Sequence, residues 1–187
     1  AQYPVAPGQS GPAAGFFKKG THEVIEVARC RIQPSCADAA KDAVLDYMRQ
    51  NGVSAYDETT HSGLVRHIYV RHAAATGEVM ACLVVNGSRL PLEEALVSLL
   101  RERVSGLKSV ILNTNTRPGN AVLGGAQRTL WGADAIEDVL CGLRFRISPK
   151  SFYQVNRAQA EVLYGKALAA AGLTGCERVL DLYCGTG

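Results

Sequence analysis

A glycine-bearing turn at the carboxyl end of the sequence has residue types suited to binding a small ligand. Residues 181–187 read DLYCGTG, so an acidic residue, Asp181, precedes Tyr183, Gly185 and Gly187. In a doubly wound α/β fold, the loop after the first strand approaches a nucleotide-like cofactor so closely that only glycine leaves room for it. The stretch therefore predicts a cofactor-binding loop, for which Asp181, Gly185 and Gly187 are candidate residues.

The class of cofactor stays open on this spacing alone. A dinucleotide-binding loop requires G-x-G-x-x-G, and the sequence supplies only G-x-G, so a nicotinamide or flavin cofactor is neither supported nor excluded. Asp181 suits S-adenosylmethionine better, because that cofactor carries a cationic sulfonium and an amino group. A strand that ends in a glycine turn with no ligand is the structural alternative.

The composition sets broad limits on the protein's class. The 187 residues are 47% hydrophobic, which allows a proper core, and the net charge of +3 permits an anionic partner without requiring one. The six cysteines form no CxxC pair, and no secretory signal or membrane-spanning apolar run is found. We therefore expect a cytoplasmic protein with no membrane partner. Because the sequence lacks an initiator methionine and stops within a motif, we expect an internal fragment of a longer polypeptide.

Residues 1–149 predict a central α+β domain. Apolar residues recur with helical spacing over residues 35–50 and again after Pro91. The second helix is predicted to bury four leucines on one face, namely Leu92, Leu96, Leu99 and Leu100. Strands are predicted around the helices, at AQYPV, GFFKK, HEVIEV, LVRHIYVRH, GEVMACLVVN, LKSVILNTN and LRFRISP. In the last of these, Leu143, Phe145 and Ile147 alternate with polar residues and are expected to face the core.

Residues 150–187 predict the truncated start of an α/β Rossmann-like domain. Asn156 is a good helix N-cap with Gln159 three residues later, and Gly172 marks the helix end. RVLDLYCGTG then predicts a strand that leads into the glycine turn. The helix is expected to bury one apolar stripe, consisting of Ala160, Leu163, Ala167, Ala170 and Ala171.

Two motifs carry a resemblance to a known family. FYQVNRAQAEVLY, followed by VLDLYCGTG, resembles the signature of the 23S ribosomal RNA (uracil-5-)-methyltransferases, which the transfer-RNA uracil-5 methyltransferases share. AQYPV, GFFKKGTHEVIEVARCRIQP and LRFRISPKSFYQVN also look like successive blocks of that family's central domain. The resemblance implies that residues 150–187 begin an S-adenosylmethionine-binding methyltransferase domain, and that the protein methylates carbon 5 of a uridine, with 23S rRNA as its RNA partner.

The resemblance also implies roles for individual residues. Gln154 would contact S-adenosylmethionine through its amide, and Tyr183 would line the cofactor site beside Gly185 and Gly187. Phe152 would stack on the target base, since enzymes that act on a base remove it from its stack. The structural alternatives are that Phe152 is a core residue and that Gln154 only forms hydrogen bonds with backbone groups.

The same resemblance points to chemistry that lies outside this chain. Cys30 matches the fourth ligand of a [4Fe-4S] cluster in many family members, whose other three cysteines lie upstream, so we expect the cluster position to be empty here. In the family, a cysteine thiolate adds to carbon 6 of uracil and a base removes the carbon 5 proton. Both residues lie downstream of residue 187 in family members, so we assign no catalytic residue and expect the isolated chain to be inactive.

Two other functions stay open at this point. A nicotinamide-dependent oxidoreductase would need a third glycine after two further residues. A non-catalytic RNA-binding module would bind RNA in a salt-sensitive way, for which Phe16, Phe17, Lys18 and Lys19 form a candidate aromatic and basic patch. Strand neighbours point to opposite faces, so at most one aromatic and one lysine of this patch can share a side. The four histidines show no zinc-binding spacing with the cysteines.

Overall fold

The computed structural model describes residues 1–182 of the chain, and Tyr183, Gly185 and Gly187 lie outside the described residues. Within residues 1–182, strands and helices follow one another in a mixed order. The elements are β1 (Gln2–Gly8), β2 (Gly11–Phe17), β3 (Val24–Glu26), α1 (Ser35–Gln50), β4 (Val65–His72), β5 (Val79–Val85), α2 (Glu93–Arg103), β6 (Leu107–Thr114), β7 (Ala126–Gly132), β8 (Ile136–Leu140), β9 (Leu143–Ile147) and α3 (Arg157–Ala171).

A mixed seven-stranded sheet forms the body of the structure. Its strand order is β3-β2-β1-β4-β5-β6-β7, and β8 and β9 form a separate antiparallel hairpin. Strands β5 and β6 are parallel, because α2 carries the chain back across the sheet between them, and the other described pairs are antiparallel. The α+β prediction is confirmed in this coarse form, whereas the division near residue 149 stays a prediction.

The first face of the sheet holds the larger core. Helix α1 occupies the predicted residues and turns Ala40, Val44, Tyr47 and Met48 inward, at the spacing of a single helix face. Apart from a bulge in β4 after Val65, every second residue of the strands meets it, as the period of a pleated strand requires. The strand residues of this core include Val65, Ile68, Val70, Val79, Ala81, Leu83, Val110 and Leu112.

The second face of the sheet is covered in part by the β8–β9 hairpin. Ile136 and Ile147 pack with Met80, Cys82 and Ile111, which are the strand residues that alternate with those of the larger core. Strand β5 is consequently buried on both faces along its whole length. The hairpin therefore fixes the position of the chain that follows β9, which contains the FYQVN motif.

Two leucines predicted to be in the core are exposed. Leu92 is 66% exposed, because it precedes α2 in a left-handed conformation (φ 47°) and is not part of the helix face formed by Leu96 and Leu100. Leu143 is 65% exposed. It directly follows the turn residues Cys141 and Gly142, both with positive φ, which place it at the tip of the hairpin beyond the sheet.

The predictions for the last segment are partly wrong. Helix α3 starts at the expected N-cap, where Asn156 Oδ1 accepts a hydrogen bond from the Gln159 amide at 3.2 Å. Of its predicted stripe only Ala160 is buried, and Leu163 is 57% exposed. Residues 178–182 form no strand. The apolar stripe of a helix is buried only when another element packs against it, and a strand requires a partner strand. Among residues 1–182, no element packs extensively along α3.

No helix formed by residues 1–182 combines the length and the apolar character needed to cross a bilayer.

The buried imidazole of His67 makes the stability of this fold depend on pH. His67 in β4 is 7% exposed, and burial, together with the positive charge of Arg66, lowers its pKa from 6.5 to about 4. The unfolded chain therefore binds the proton more readily than the folded chain. The contribution of His67 to stability is complete above pH 6.5 and is lost as the pH falls from 6.5 towards 4.

Between pH 7 and pH 4.5, the free energy of unfolding should fall in both the wild-type chain and His67→Gln. We predict that the fall is larger in the wild type, by on the order of 2–3 kcal/mol. Urea unfolding at the two pH values measures this difference, since titrating carboxylates affect both proteins alike. His72→Gln, at the exposed end of the same strand, is the matched control and should fall as the wild type does. An equal fall in His67→Gln and the wild type would contradict the prediction.

Candidate functional site

Residues 149–157 lead from β9 to the first residue of α3, contain the FYQVN motif and are here called the motif segment. Three hydrogen-bonded ties hold it against the second face of the sheet. Arg71 Nη2 in β4 donates to the carbonyl of Pro149 at 3.1 Å and to that of Ser151. Tyr153 Oη donates to Asp138 Oδ2 at 3.0 Å, and Arg157 Nε donates to the Val139 carbonyl at 3.1 Å. Backbone and side chains of the segment are thus fixed by β4 and β8.

Asp138 in β8 is the central residue of these ties. Its side chain is 1% exposed, and a buried carboxylate is tolerated only when its oxygens are hydrogen-bonded. Oδ1 accepts from the amides of Ala75 and Val139 at 2.8 and 2.9 Å. Oδ2 accepts from the Ala74 amide at 3.2 Å and from Tyr153 Oη. One carboxylate therefore joins the β4–β5 turn, the hairpin and the motif segment.

The hydroxyl of Tyr153 remains protonated in this setting. Burial first, and then the hydrogen bond to Asp138, raise the pKa of Tyr153 to about 12. Its ring also lies 5.9 Å from the ring of Phe145 in β9. Because Tyr153 stands between Phe152 and Gln154 in the sequence, anchoring its side chain determines where those two neighbours lie.

A cleft of ≈ 500 Å³ opens beside the motif segment, between β4 and the loop that precedes α1. Gln154 is half-buried in its wall, which Arg71 and Tyr69 also line. The Arg71 guanidinium lies 5.1 Å from that ring, and burial lowers its pKa. Arg71 Nε is buried without a hydrogen-bond partner among residues 1–182. The cleft thus offers an amide, an aromatic surface and a cationic group to a small ligand.

The candidate residues named from the sequence are only partly brought together. Gln154 lines the cleft, whereas Phe152 is not among its lining residues and is 77% exposed, so Phe152 has no core position among residues 1–182. Asp181 is exposed and is not among the residues that line the cleft. Tyr183, Gly185 and Gly187 lie outside the described residues, and their assignment stays a prediction. The cofactor and substrate roles of Gln154 and Phe152 also stay predictions.

Sequence reasoning did not find Arg71, Asp138 or Tyr153. A signal for Asp138 was present, because it shares a strand face with Ile136 and Leu140, both of which are buried. An acidic residue at a core-facing strand position implies a group of hydrogen-bond donors around it. The partners themselves come from residues 74–75 and 153, which only the folded chain brings together.

Cys30 is half-buried before α1, where its amide donates to Asp38 Oδ2 at 3.2 Å. Cys36 is also half-buried, and burial raises the pKa of its thiol. A [4Fe-4S] cluster requires four ligands, and residues 1–182 contain no group of three or more histidine, cysteine or acidic side chains placed to bind a metal. The described residues therefore do not by themselves form a cluster site around Cys30.

Comparisons with known proteins connect this geometry to a family, although no family model matches the chain. A protein of Caldanaerobacter subterraneus subsp. tengcongensis is 44% identical over 173 residues, which are 92% of this chain and 38% of that protein. A protein of Halalkalibacterium halodurans is 38% identical over 187 residues, covering 100% and 41%. A protein of Listeria monocytogenes is 43% identical over 174 residues, covering 93% and 38%. All three are named RNA methyltransferases, and this chain spans about two fifths of their length.

A solved structure shares the fold. The tRNA (uracil-54, C5)-methyltransferase of Pyrococcus abyssi, in complex with S-adenosyl-L-homocysteine, superposes with a TM-score of 0.71 at 20% identity, covering 89% of this chain and 39% of that one. At this identity the superposition establishes the fold alone. The bacterial relatives match nearly the whole chain, which carries the FYQVN and DLYCGTG motifs. Over the part of their length that it spans, this chain is similar to the bacterial proteins named RNA methyltransferases.

Proposed function

We propose that the whole protein is an S-adenosylmethionine-dependent methyltransferase that acts on carbon 5 of a uridine in RNA, with 23S rRNA as its substrate. The observation that carries the proposal is the anchored motif segment, which keeps Gln154 in the wall of a cleft and leaves the ring of Phe152, two residues earlier, exposed. The bacterial relatives support methyl transfer to RNA, and the P. abyssi structure supports uracil carbon 5 as the acceptor.

The residues of the cleft fit part of such a cofactor site. S-adenosylmethionine would supply an electrophilic methyl group, which carbon 5 attacks after a cysteine thiolate outside this chain has added to carbon 6. Gln154 offers one acceptor and two donors through its amide, which suits the polar groups of the cofactor. Phe152 offers an exposed ring on which an extruded base can stack. Arg71, Asp138 and Tyr153 are positioning residues, because they act through the backbone that carries Gln154 and Phe152.

The two other functions differ in their support. The reported relatives give no support to a nicotinamide-dependent oxidoreductase, since they are named RNA methyltransferases. A non-catalytic RNA-binding module stays an alternative for the isolated chain, because the proposed nucleophile and base lie outside it. Methyl transfer by the whole protein distinguishes the proposed methyltransferase from an RNA-binding module, because such a module has no cofactor requirement.

Release of tritium from RNA labelled at carbon 5 of uridine tests the proposed reaction, because methylation replaces that hydrogen. We predict release that requires S-adenosylmethionine when the chain is extended to the length of its relatives, and no release from the 187-residue chain alone. An rRNA transcript and a tRNA transcript, assayed side by side, test the substrate. Methyl transfer to RNA without tritium release would contradict carbon 5 as the acceptor, and release by the 187-residue chain would contradict the expected inactivity.

We predict that Gln154→Ala weakens S-adenosyl-L-homocysteine binding by about fivefold in the extended protein, because one hydrogen-bonding amide contributes about 1 kcal/mol. Isothermal titration calorimetry measures the dissociation constant. Gln127→Ala, on the exposed face of β7, is the matched control and should bind as the wild type does. Unchanged affinity in Gln154→Ala would remove Gln154 from the cofactor site.

We predict that Asp138→Asn lowers the free energy of unfolding of the 187-residue chain by about 2–4 kcal/mol, since an amide cannot accept all four hydrogen bonds and its NH₂ group faces other donors. Tyr153→Phe should lower the free energy of unfolding by about 1 kcal/mol, because it removes one of the four hydrogen bonds to Asp138. The control is Glu137→Gln, which alters only a surface ion pair with Arg144 and should stay within about 1 kcal/mol of wild type. Urea unfolding at pH 7 measures all three, and an Asp138→Asn value equal to that of Glu137→Gln would contradict the anchoring role.

A further inference from the structure

A second cleft lies at the other end of strand β4 from the motif segment. Two adjoining cavities of ≈ 430 Å³ and ≈ 200 Å³ share His22, Tyr56, Glu58 and Arg66 in their walls, and together are here called the loop cleft. His67 lines the loop cleft, whereas Tyr69 and Arg71 line the cleft of Gln154. These three residues alternate along β4 on the same face of the sheet. The two clefts are therefore separate sites on one face.

Arg66 is the buried cation of the loop cleft. It is 3% exposed, and its Nη1 donates to the carbonyls of Asn115 and Arg117, at 2.8 Å each. Its guanidinium carbon lies 4.4 Å from the centre of the Tyr56 ring. Arg66 Nε is buried without a hydrogen-bond partner among residues 1–182. The wall of the loop cleft thus contains a buried guanidinium whose hydrogen-bonding capacity is not fully used among residues 1–182.

One wall of the loop cleft is a loop that the buried side-chain amides of two asparagines hold in place. Asn113 Nδ2 donates to the carbonyls of Gly124 and Ala126, and its Oδ1 accepts from the Gly124 amide at 2.7 Å. Asn115 Nδ2 donates to the carbonyls of Ala121 and Val122, at 2.6 and 3.1 Å. These bonds hold the loop so that Gly119 and Asn120 reach the cleft. The wall is thus preorganised, which lowers the entropic cost of binding.

Aromatic rings form another part of the lining. Phe17 and His22 stack with ring centres 5.0 Å apart and an interplanar angle of 21°, and Phe17 is 39% exposed. The Tyr56 hydroxyl and His61 Nδ1 are 2.9 Å apart, which fixes the Tyr56 ring. Phe16, by contrast, packs against the core residue Tyr3, so the aromatic pair predicted from the sequence is divided between the two faces of β2. Planar ligands stack well on such surfaces.

The charges of the loop cleft favour a base over a phosphate. Glu23, Asp57 and Glu58 all line it and would repel a phosphate group. Asp57 is occupied by its own turn, since its oxygens accept from the Thr59 amide and the Thr60 hydroxyl. Glu58 lies 2.5 Å from His22 Nδ1 and retains its second oxygen as an acceptor. A cleft lined by both a carboxylate and a guanidinium complements the edge of a nucleobase, which carries both donors and acceptors.

We propose that the loop cleft is a binding site for an unstacked nucleobase of the RNA substrate, other than the uridine that is methylated. The inference rests on the proposed function in that it takes RNA as the substrate. The base stacks on the Phe17 and His22 rings, and its edge meets Glu58 and the Arg66 side of the cleft. Single-stranded RNA is generally recognised in this way, by stacking and by contacts to base edges.

NMR titration of the 187-residue chain with UMP, CMP, AMP, GMP and ribose 5-phosphate tests the proposal. We expect at least one of the four nucleotides to shift the signals of His22, Tyr56 and Asn120 saturably, and ribose 5-phosphate to leave them in place. Phe17→Ala should weaken that binding about fivefold or more, since stacking contributes about 1–3 kcal/mol per base. Tyr164→Ala, an exposed ring on α3, is the matched control and should not change it.

The proposal is overturned if no nucleotide shifts these signals, if ribose 5-phosphate shifts them equally, or if Phe17→Ala binds as tightly as Tyr164→Ala. Phe17 is on the surface, so its removal leaves the core intact, and Glu58→Gln serves as a second variant that keeps the shape of the cleft and should also weaken binding. Nucleotide binding by the chain is measured without cofactor or methyl transfer. If the whole protein fails to methylate RNA, the nucleotide-binding result is unaffected. If the chain fails to bind nucleotides, the methylation result is unaffected.

Discussion

A single buried carboxylate, that of Asp138, joins the parts of the structure on which the functional account depends. Its two oxygens accept four hydrogen bonds, from the β4–β5 turn, from its own strand and from Tyr153 of the motif segment. Leaving any of these donors or acceptors unpaired in the protein interior would cost free energy, so they favour one arrangement of the three segments. The FYQVN motif is thus positioned by residues that lie outside it.

The sheet provides a common platform for both clefts. Its first face is filled by α1 and α2, and its second face is covered by the hairpin at one end and by the loop of residues 115–125 at the other. Polar residues of β4 and β6 that face this side, including Arg66, Arg71 and Asn113, hold neighbouring backbone in place. One strand, β4, contributes to the cleft of Gln154 and to the loop cleft, which places the proposed cofactor and base sites on one rigid element.

Local patterns in the sequence predicted local structure well, and long-range pairing was beyond them. Helix α1 follows from the spacing of its apolar residues, and the Asn156 cap follows from a side chain that reaches three residues ahead. Each of these signals lies within a single short segment. The buried stripe of α3 and the strand at residues 178–182 depend on neighbours that residues 1–182 do not provide. The role of Asp138 could be suspected from its strand face, yet its partner Tyr153 is known only from the fold.

Backbone ¹⁵N relaxation of the 187-residue chain, in the wild type and in Asp138→Asn, tests most directly whether this carboxylate fixes the motif segment. We predict order parameters near 0.85 for residues 149–157 in the wild type, as rigid as α1, and values below about 0.6 for the same residues in Asp138→Asn with α1 unchanged. Equal order in the two proteins across residues 149–157 would show that the segment is held without Asp138, and would contradict the account.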